Sequence, residues 1–167
     1  MKGFPQLTTE DVEQLDRLLK DFVTRSGVLA ALMVESAGYL IHRAGGEMPA
    51  DPAEFASLAS NAFSAAQAMS RRLKENFFTH LRVGGTGYQT LIRQVDETCL
   101  LVVVFNADLE AKKIEDEAIT PVIGLYELLK IARHRAPEAT VDFADVDAEH
   151  VTKFFRRAPP PTPPSAT

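Results

Sequence analysis

Six consecutive apolar residues, Leu100 to Phe105 (LLVVVF), constrain this chain more than any other feature. Their β-branched content marks a strand, and a strand apolar at every position, with no alternation, needs both sheet faces covered. This segment is therefore expected to be central in a sheet, between layers of helices. FFTHLRV and YQTLIRQV precede it, joined by Gly84-Gly85-Thr86-Gly87 and followed by Asp96-Glu97, turn-like connections short enough for antiparallel neighbours. Earlier, GVLAALMVE and YLIHRA flank Ser36-Ala37-Gly38, a composition that suits a tight reversal, and read as a β-hairpin.

Helical periodicity fills the spaces between. The first helix is expected from Thr8 or Thr9, with Asp11 completing a capping box, Val12, Leu15, Leu19, Phe22 and Val23 along one face, and Gly27 as the stop. Asp51-Pro52-Ala53-Glu54 supplies an N-cap, a first-turn proline and a capping carboxylate for a second helix reaching to about Glu75. A last helix, capped by Asn106 or Asp108, carries Leu109, Ile114, Ile119, Val122, Leu125, Tyr126 and Leu129, with Thr120-Pro121 kinking or dividing it. The order α-ββ-α-βββ-α predicts an α+β fold: an α/β/α sandwich with a five-stranded antiparallel sheet and helices on both faces. We expect that domain over residues 1–136. An acidic then aromatic segment follows over 137–157, with a short helix as one option, and a disordered Pro-rich tail over 158–167.

Composition narrows the function. With 167 residues there is room for one well-buried core, and 18 Lys plus Arg against 23 Asp plus Glu give a net charge of −5, with no general drive toward phosphate backbones. Nucleic acid is therefore not an expected partner. The single Cys99 cannot close an intrachain disulfide, and the opening MKGFPQLTTEDVEQ lacks the apolar core of a secretory signal. No apolar run approaches the roughly 18 to 20 residues that span a bilayer, so a cytoplasmic protein without membrane insertion is expected. No G-x-x-x-x-G-K-[ST] phosphate cradle occurs, and His42, His80, His134 and His150 show no paired metal-ligand spacing. Cys99 within a buried-strand pattern reads as packing rather than as a nucleophile. Arg71-Arg72 could serve as an arginine finger, but adjacent cations near a helix end more simply complement its dipole. These readings lead to no catalytic residue, no metal and no cofactor: a binding or regulatory module rather than an enzyme.

The second helix is the informative one. FASLASNAFSAAQAMS, Phe55 to Ser70, carries no charge over sixteen residues. Phe55, Leu58, Ala59, Ala62, Ala66, Met69 and Leu73 form a stripe expected to pack on the sheet. Opposite it, Ser57, Ser60, Asn61, Ser64, Ala65 and Ala68 make a small-residue surface that lets a second backbone approach closely. Burial by another protein explains an uncharged outer face. A solvated face, or one covered by the chain's own tail, is the competing reading.

The hairpin LMVESAGYLIHRAGG, the helix DPAEFASLASNAFSAAQAMSRRLKEN and the strands YQTLIRQVDETCLLVVVF together resemble the Roadblock/dynein light-chain family, over roughly residues 8 to 135. The ASL at Ala56–Leu58, the Glu75-Asn76 helix end and LVVVF are similar to its bacterial cell-polarity and motility branch. The resemblance implies a homodimer, or a higher assembly, in which second helices and edge strands meet. It also implies a small Ras-like GTPase partner of the MglA type, whose hydrolysis is accelerated by repositioning its own catalytic residues, and enrichment at a cell pole. By position it makes Ser57, Ser60, Asn61, Ser64, Ala65, Ala68 and Arg72 partner-facing. In the C-terminal segment it assigns Phe143, Val146, Val151, Phe154 and Phe155 to contact with the GTPase away from the nucleotide pocket; docking on their own domain is the alternative. A Roadblock-type scaffold that dimerises without stimulating hydrolysis, and a profilin-like small-molecule sensor, are the other readings.

Overall fold

Thr8 caps the first helix, α1 (Thr9–Ser26), through a reciprocal box: the Asp11 N–H donates to Thr8 Oγ1 at 3.3 Å and the Thr8 N–H donates to Asp11 Oδ2 at 2.8 Å. The computed structural model describes residues 3–135, and the compact unit they belong to ends at Arg135. The expected segments 137–157 and 158–167 lie outside the described residues. After Gly27, which closes α1 in the left-handed region, come β1 (Ala30–Glu35), β2 (Leu40–Gly45), α2 (Pro52–Arg72), β3 (His80–Gly84), β4 (Tyr88–Asp96) and β5 (Cys99–Asn106). The chain continues through α3 (Ala111–Glu117) and α4 (Ile119–His134).

All five strands form one antiparallel sheet, in the order β2-β1-β5-β4-β3. β5 is central and buried from Cys99 to Phe105, as its unbroken apolar run requires. Its alternate residues serve two cores. Cys99, Leu101, Val103 and Phe105 join Leu15, Leu19 and Phe22 of α1 and Leu125, Leu128 and Leu129 of α4. Leu100 and Val102 join Ala56, Ala59 and Phe63 of α2 on the other face. Helices thus cover both sides, three on one and α2 alone on the other.

Four expectations about the outer elements need correction. β3 starts at His80, so Phe77 to Thr79 precede it rather than belong to it. The last helix does not start at a cap on Asn106 or Asp108; α3 begins at Ala111 after Glu110, which makes no side-chain capping bond. Its division falls at Ala118, and Pro121 occupies the first turn of α4, where a missing N–H breaks no intrahelical bond. Val12, Ile119 and Tyr126, read as core-facing, are exposed.

The ends of the compact unit are fastened together. Arg135, just past α4, donates from Nη1 to Asp11 Oδ2 at 2.6 Å and from Nη2 to Asp11 Oδ1 at 3.1 Å. Those bonds, with the Thr8 N–H, hold the Asp11 carboxyl far below the usual carboxylate range despite its burial.

Candidate functional site

Asp51 starts α2, its carboxylate accepting the Glu54 N–H at 2.8 Å with Pro52 in the first turn. The helix ends in a Schellman arrangement, with the Glu75 N–H donating to Ser70 O and the Lys74 N–H to Arg71 O. Lys74 sits at the left-handed position with φ 62°, so a lysine does what glycine usually does there.

The face that α2 turns to the sheet differs from the expected stripe. Ala56, Ala59, Ser60 and Phe63 are buried, while Leu58, Met69 and Leu73 are 59%, 68% and 76% exposed. Phe63 anchors this contact: its ring lies 5.1 Å from that of Phe78, tilted by 48°. Such a pair adds about 0.5–1.5 kcal/mol beyond the area it buries. The rotation has a chemical cause. Ser60 Oγ donates to Ser36 O in the β1–β2 turn at 2.6 Å, satisfying a carbonyl that the turn leaves open. At Gly38, φ is 98° and an added Cβ would stand 3.3 Å from Ser57 Cα, so the turn rests against the helix backbone. The same turn is tied to the β4–β5 turn by the Ser36 N–H bond to Thr98 O at 2.8 Å.

Ser60 is therefore withdrawn from the predicted partner-facing set: at 3% exposure it belongs to the domain's own packing. Ser57, Asn61, Ser64, Ala65, Ala68 and Arg72 are all exposed. At 3.6 residues per turn they divide into two adjacent rows. Ser57, Asn61, Ser64 and Ala68 form one, small and mostly polar, beginning beside the Gly38 turn. Ala65 lies in the other, with Leu58, Ala62 and Met69, which the sequence pattern assigns to the sheet, and Arg72 follows at its end. The signal for this second row is the uncharged stretch itself, apolar on more than one side. Phe143, Val146, Val151, Phe154 and Phe155 lie outside the described residues.

The apolar row borders an open groove of about 150 Å³. Phe55, Leu58, Ala59 and Ala62 form one wall, and Val83, Thr90 and Ile92 of β3 and β4 the other. β3 is an edge strand, hydrogen-bonded to β4 on one side only. The helix row and the groove form an apolar border beside the unpaired β3 edge, on which His80 and Arg82 are exposed.

The remaining reactive groups serve structure. Cys99 is buried and desolvation pushes its thiol upward, which keeps it protonated. His42 Nε2 lies 2.8 Å from Asp16 Oδ1, and Asp16 also pairs with Lys20 at 2.6 Å. The Lys20 bond first, and the His42 bond second, lower the Asp16 carboxyl. Among the described residues no three His, Cys, Asp or Glu side chains converge on a metal-binding position, and no helix is long and apolar enough to cross a membrane.

A five-stranded antiparallel sheet with α2 alone on one face and the other helices opposite defines a small α/β/α domain. The sequence matches the Roadblock/LC7 domain over residues 14–105, more than half of the chain, and the protein belongs to that family. Solved structures share the fold. MglB with a tetrameric arrangement has a TM-score of 0.72 at 19% identity, covering 79% of this chain and 99% of that one. The gliding protein MglB of Thermus thermophilus has a TM-score of 0.69 at 19% identity, covering 78% of this chain and 99% of that one. Myxococcus xanthus MglB has a TM-score of 0.70 at 17% identity, covering 76% and 95%. A search of curated protein sequences returns no match.

Proposed function

We propose that this protein is a homodimeric regulator that binds a small Ras-like GTPase of the MglA type and accelerates its GTP hydrolysis. The observation that carries the reading is the pair of rows on α2. The apolar row and the β3 edge suit a second copy, and the small polar row beside the β1–β2 turn suits a different protein that must come close to the helix backbone. Family membership and the MglB structures of the same fold support the assignment. Neither row carries an acid, base or cation before Arg71, so acceleration works through position. The regulator binds the arrangement in which the GTPase's own groups surround the γ-phosphate, and that selective affinity supplies the free energy.

Phosphate release from an MglA-type GTPase, with and without this protein, tests the reading. Acceleration that is lost on Ser64→Arg or Ala68→Arg, with dimerisation intact, is the expected result, because each substitution places bulk and an unpaired charge in the contact. Binding without acceleration would establish the scaffold instead. Unchanged binding in both variants would remove the polar row from the interface.

A further inference from the structure

Arg133 stands in the last turn of α4, on the sheet face opposite α2, yet its guanidinium bonds the β4–β5 turn. A cation at a helix end can complement the dipole from water. This one is mostly buried, at 22% exposure. Its Nη2 donates to Thr98 Oγ1 and lies 2.8 Å from Oδ2 of Asp96, whose side chain is 6% exposed. The other carboxylate oxygen, Asp96 Oδ1, accepts the Thr98 N–H at 2.7 Å and the Thr98 O–H at 3.0 Å. A carboxylate buried this deeply needs a paired cation, and Arg133 supplies it.

Thr98 passes the position on. Its carbonyl accepts the Ser36 N–H at 2.8 Å and Glu97 O accepts the Ser36 hydroxyl at 3.3 Å, which ties the β1–β2 turn to the β4–β5 turn. Ser36 O then accepts the Ser60 hydroxyl of α2 at 2.6 Å, and Gly38 rests against Ser57. The strand ladders do not fix these turns. Pairing shifts register between Met33 and Val34 where β1 meets β2, and between Gln94 and Asp96 where β4 meets β5. At such irregularities the ladder is interrupted and the strand bends. Side-chain bonds therefore set where both turns lie, and they run from α4 to α2 around one end of the sheet. We infer that Arg133 is a positioning residue for the partner-facing row of α2: through Asp96, Thr98 and Ser36 it sets where Ser57 and Asn61 stand, although it belongs to the opposite helical layer. The inference rests on the proposed function for the role of that row, whereas the relay itself is a property of the free protein.

Amide exchange on the free full-length protein tests the relay, and GTPase binding tests its consequence. Arg133→Ala is expected to speed exchange about 10-fold at residues 36–39 and 57–61, while residues 69–72 of α2 and 15–22 of α1 keep the parent rates. Thr98→Val keeps the Asp96–Arg133 pair and removes the hydroxyl link. It should give the same pattern more weakly, and it decides the matter if Arg133→Ala does not fold. In a Ser60→Ala background the relay is already cut at its far end, so Arg133→Ala should add nothing at residues 57–61. Affinity for an MglA-type GTPase loaded with a non-hydrolysable GTP analogue should fall about 2- to 30-fold in Arg133→Ala. Unchanged exchange at residues 57–61 in the folded variants, additive effects in the double variant, or a rise spread evenly over the domain would overturn the inference. Faster exchange in α2 with unchanged affinity for a GTPase that the parent binds would overturn it too. A parent that binds no such GTPase would refute the proposed function alone, and the exchange pattern then decides whether Arg133 positions α2.

Discussion

Removing the Asp11 carboxylate should test how the compact unit is fastened at its ends. The Asp11 side chain is 8% exposed and accepts three bonds, one from the Thr8 N–H and two from Arg135, whose side chain is 37% exposed. Loss of half a capping box costs about 0.5–1 kcal/mol. A charge-assisted pair of this kind contributes about 1.5–3 kcal/mol, reduced here to about 1–2 because the Arg135 side chain is partly exposed and solvent screens the pair. Asp11→Ala should therefore destabilise by about 1.5–3 kcal/mol in urea titrations at pH 7. Arg135→Ala should cost about 2 kcal/mol, since it strands a carboxylate that keeps only Thr8 and the α1 N-terminus. The double variant should fall short of the sum by about 1–2 kcal/mol. The pH dependence has a definite sign. The folded carboxyl lies well below its unfolded value of about 3.9, so its contribution is complete above that pH and declines as pH falls toward the folded value. The gap between parent and Asp11→Ala should narrow below about pH 4. Additive single effects, or a gap that stays constant from pH 7 to pH 2.5, would refute the reasoning.

Three further substitutions have defined outcomes. Ser60→Ala leaves the Ser36 carbonyl without its donor and should cost about 1–2 kcal/mol in chemical denaturation, with a selective rise in amide exchange around the β1–β2 turn. Gly38→Ala combines a φ of 98° with a Cβ 3.3 Å from the α2 backbone, and should destabilise by about 1–3 kcal/mol while shifting the Ser57 and Asn61 resonances; an unchanged melting temperature would contradict that contact. Lys74→Gly relieves a left-handed side chain at the end of α2 and should stabilise by about 0.5–1 kcal/mol in thermal melts.

The features legible in the sequence are those that depend on neighbours along the chain. The Thr8–Asp11 box, the Ser36–Gly38 reversal, the Asp51 cap and the central position of Leu100–Phe105 each follow from local chemistry or from periodicity over a few residues. What is not legible depends on contacts between distant segments. α2 is apolar or small on nearly every side, so its pattern does not choose between the Leu58–Met69 row and the Ala56–Phe63 row. That choice is made by Phe78 and by the Ser36 carbonyl, neither of which marks the helix sequence. Ser60 looks like its exposed neighbours for the same reason: a serine reveals no partner until the turn it bonds is in place. The sequence points to a split of the last helix at Pro121, yet the break falls at Ala118, because a proline is tolerated in a first turn and forbidden only deeper in a helix.

β1 is flanked by β2, its immediate successor, and by β5, whose paired residues come from 64 (Glu35 with Cys99) to 74 (Ala30 with Val104) positions later. A nascent chain leaving the ribosome therefore presents α1, the first hairpin and α2 long before the strand that unites both cores has been made. Over that interval the Ala-Ala-Leu-Met-Val run of β1 has one unpaired flank, so release of the finished C-terminal half, rather than formation of the first helix, sets the moment of folding. Stalled translation intermediates should stay protease-sensitive until Arg135 has cleared the exit tunnel and become resistant in one step thereafter.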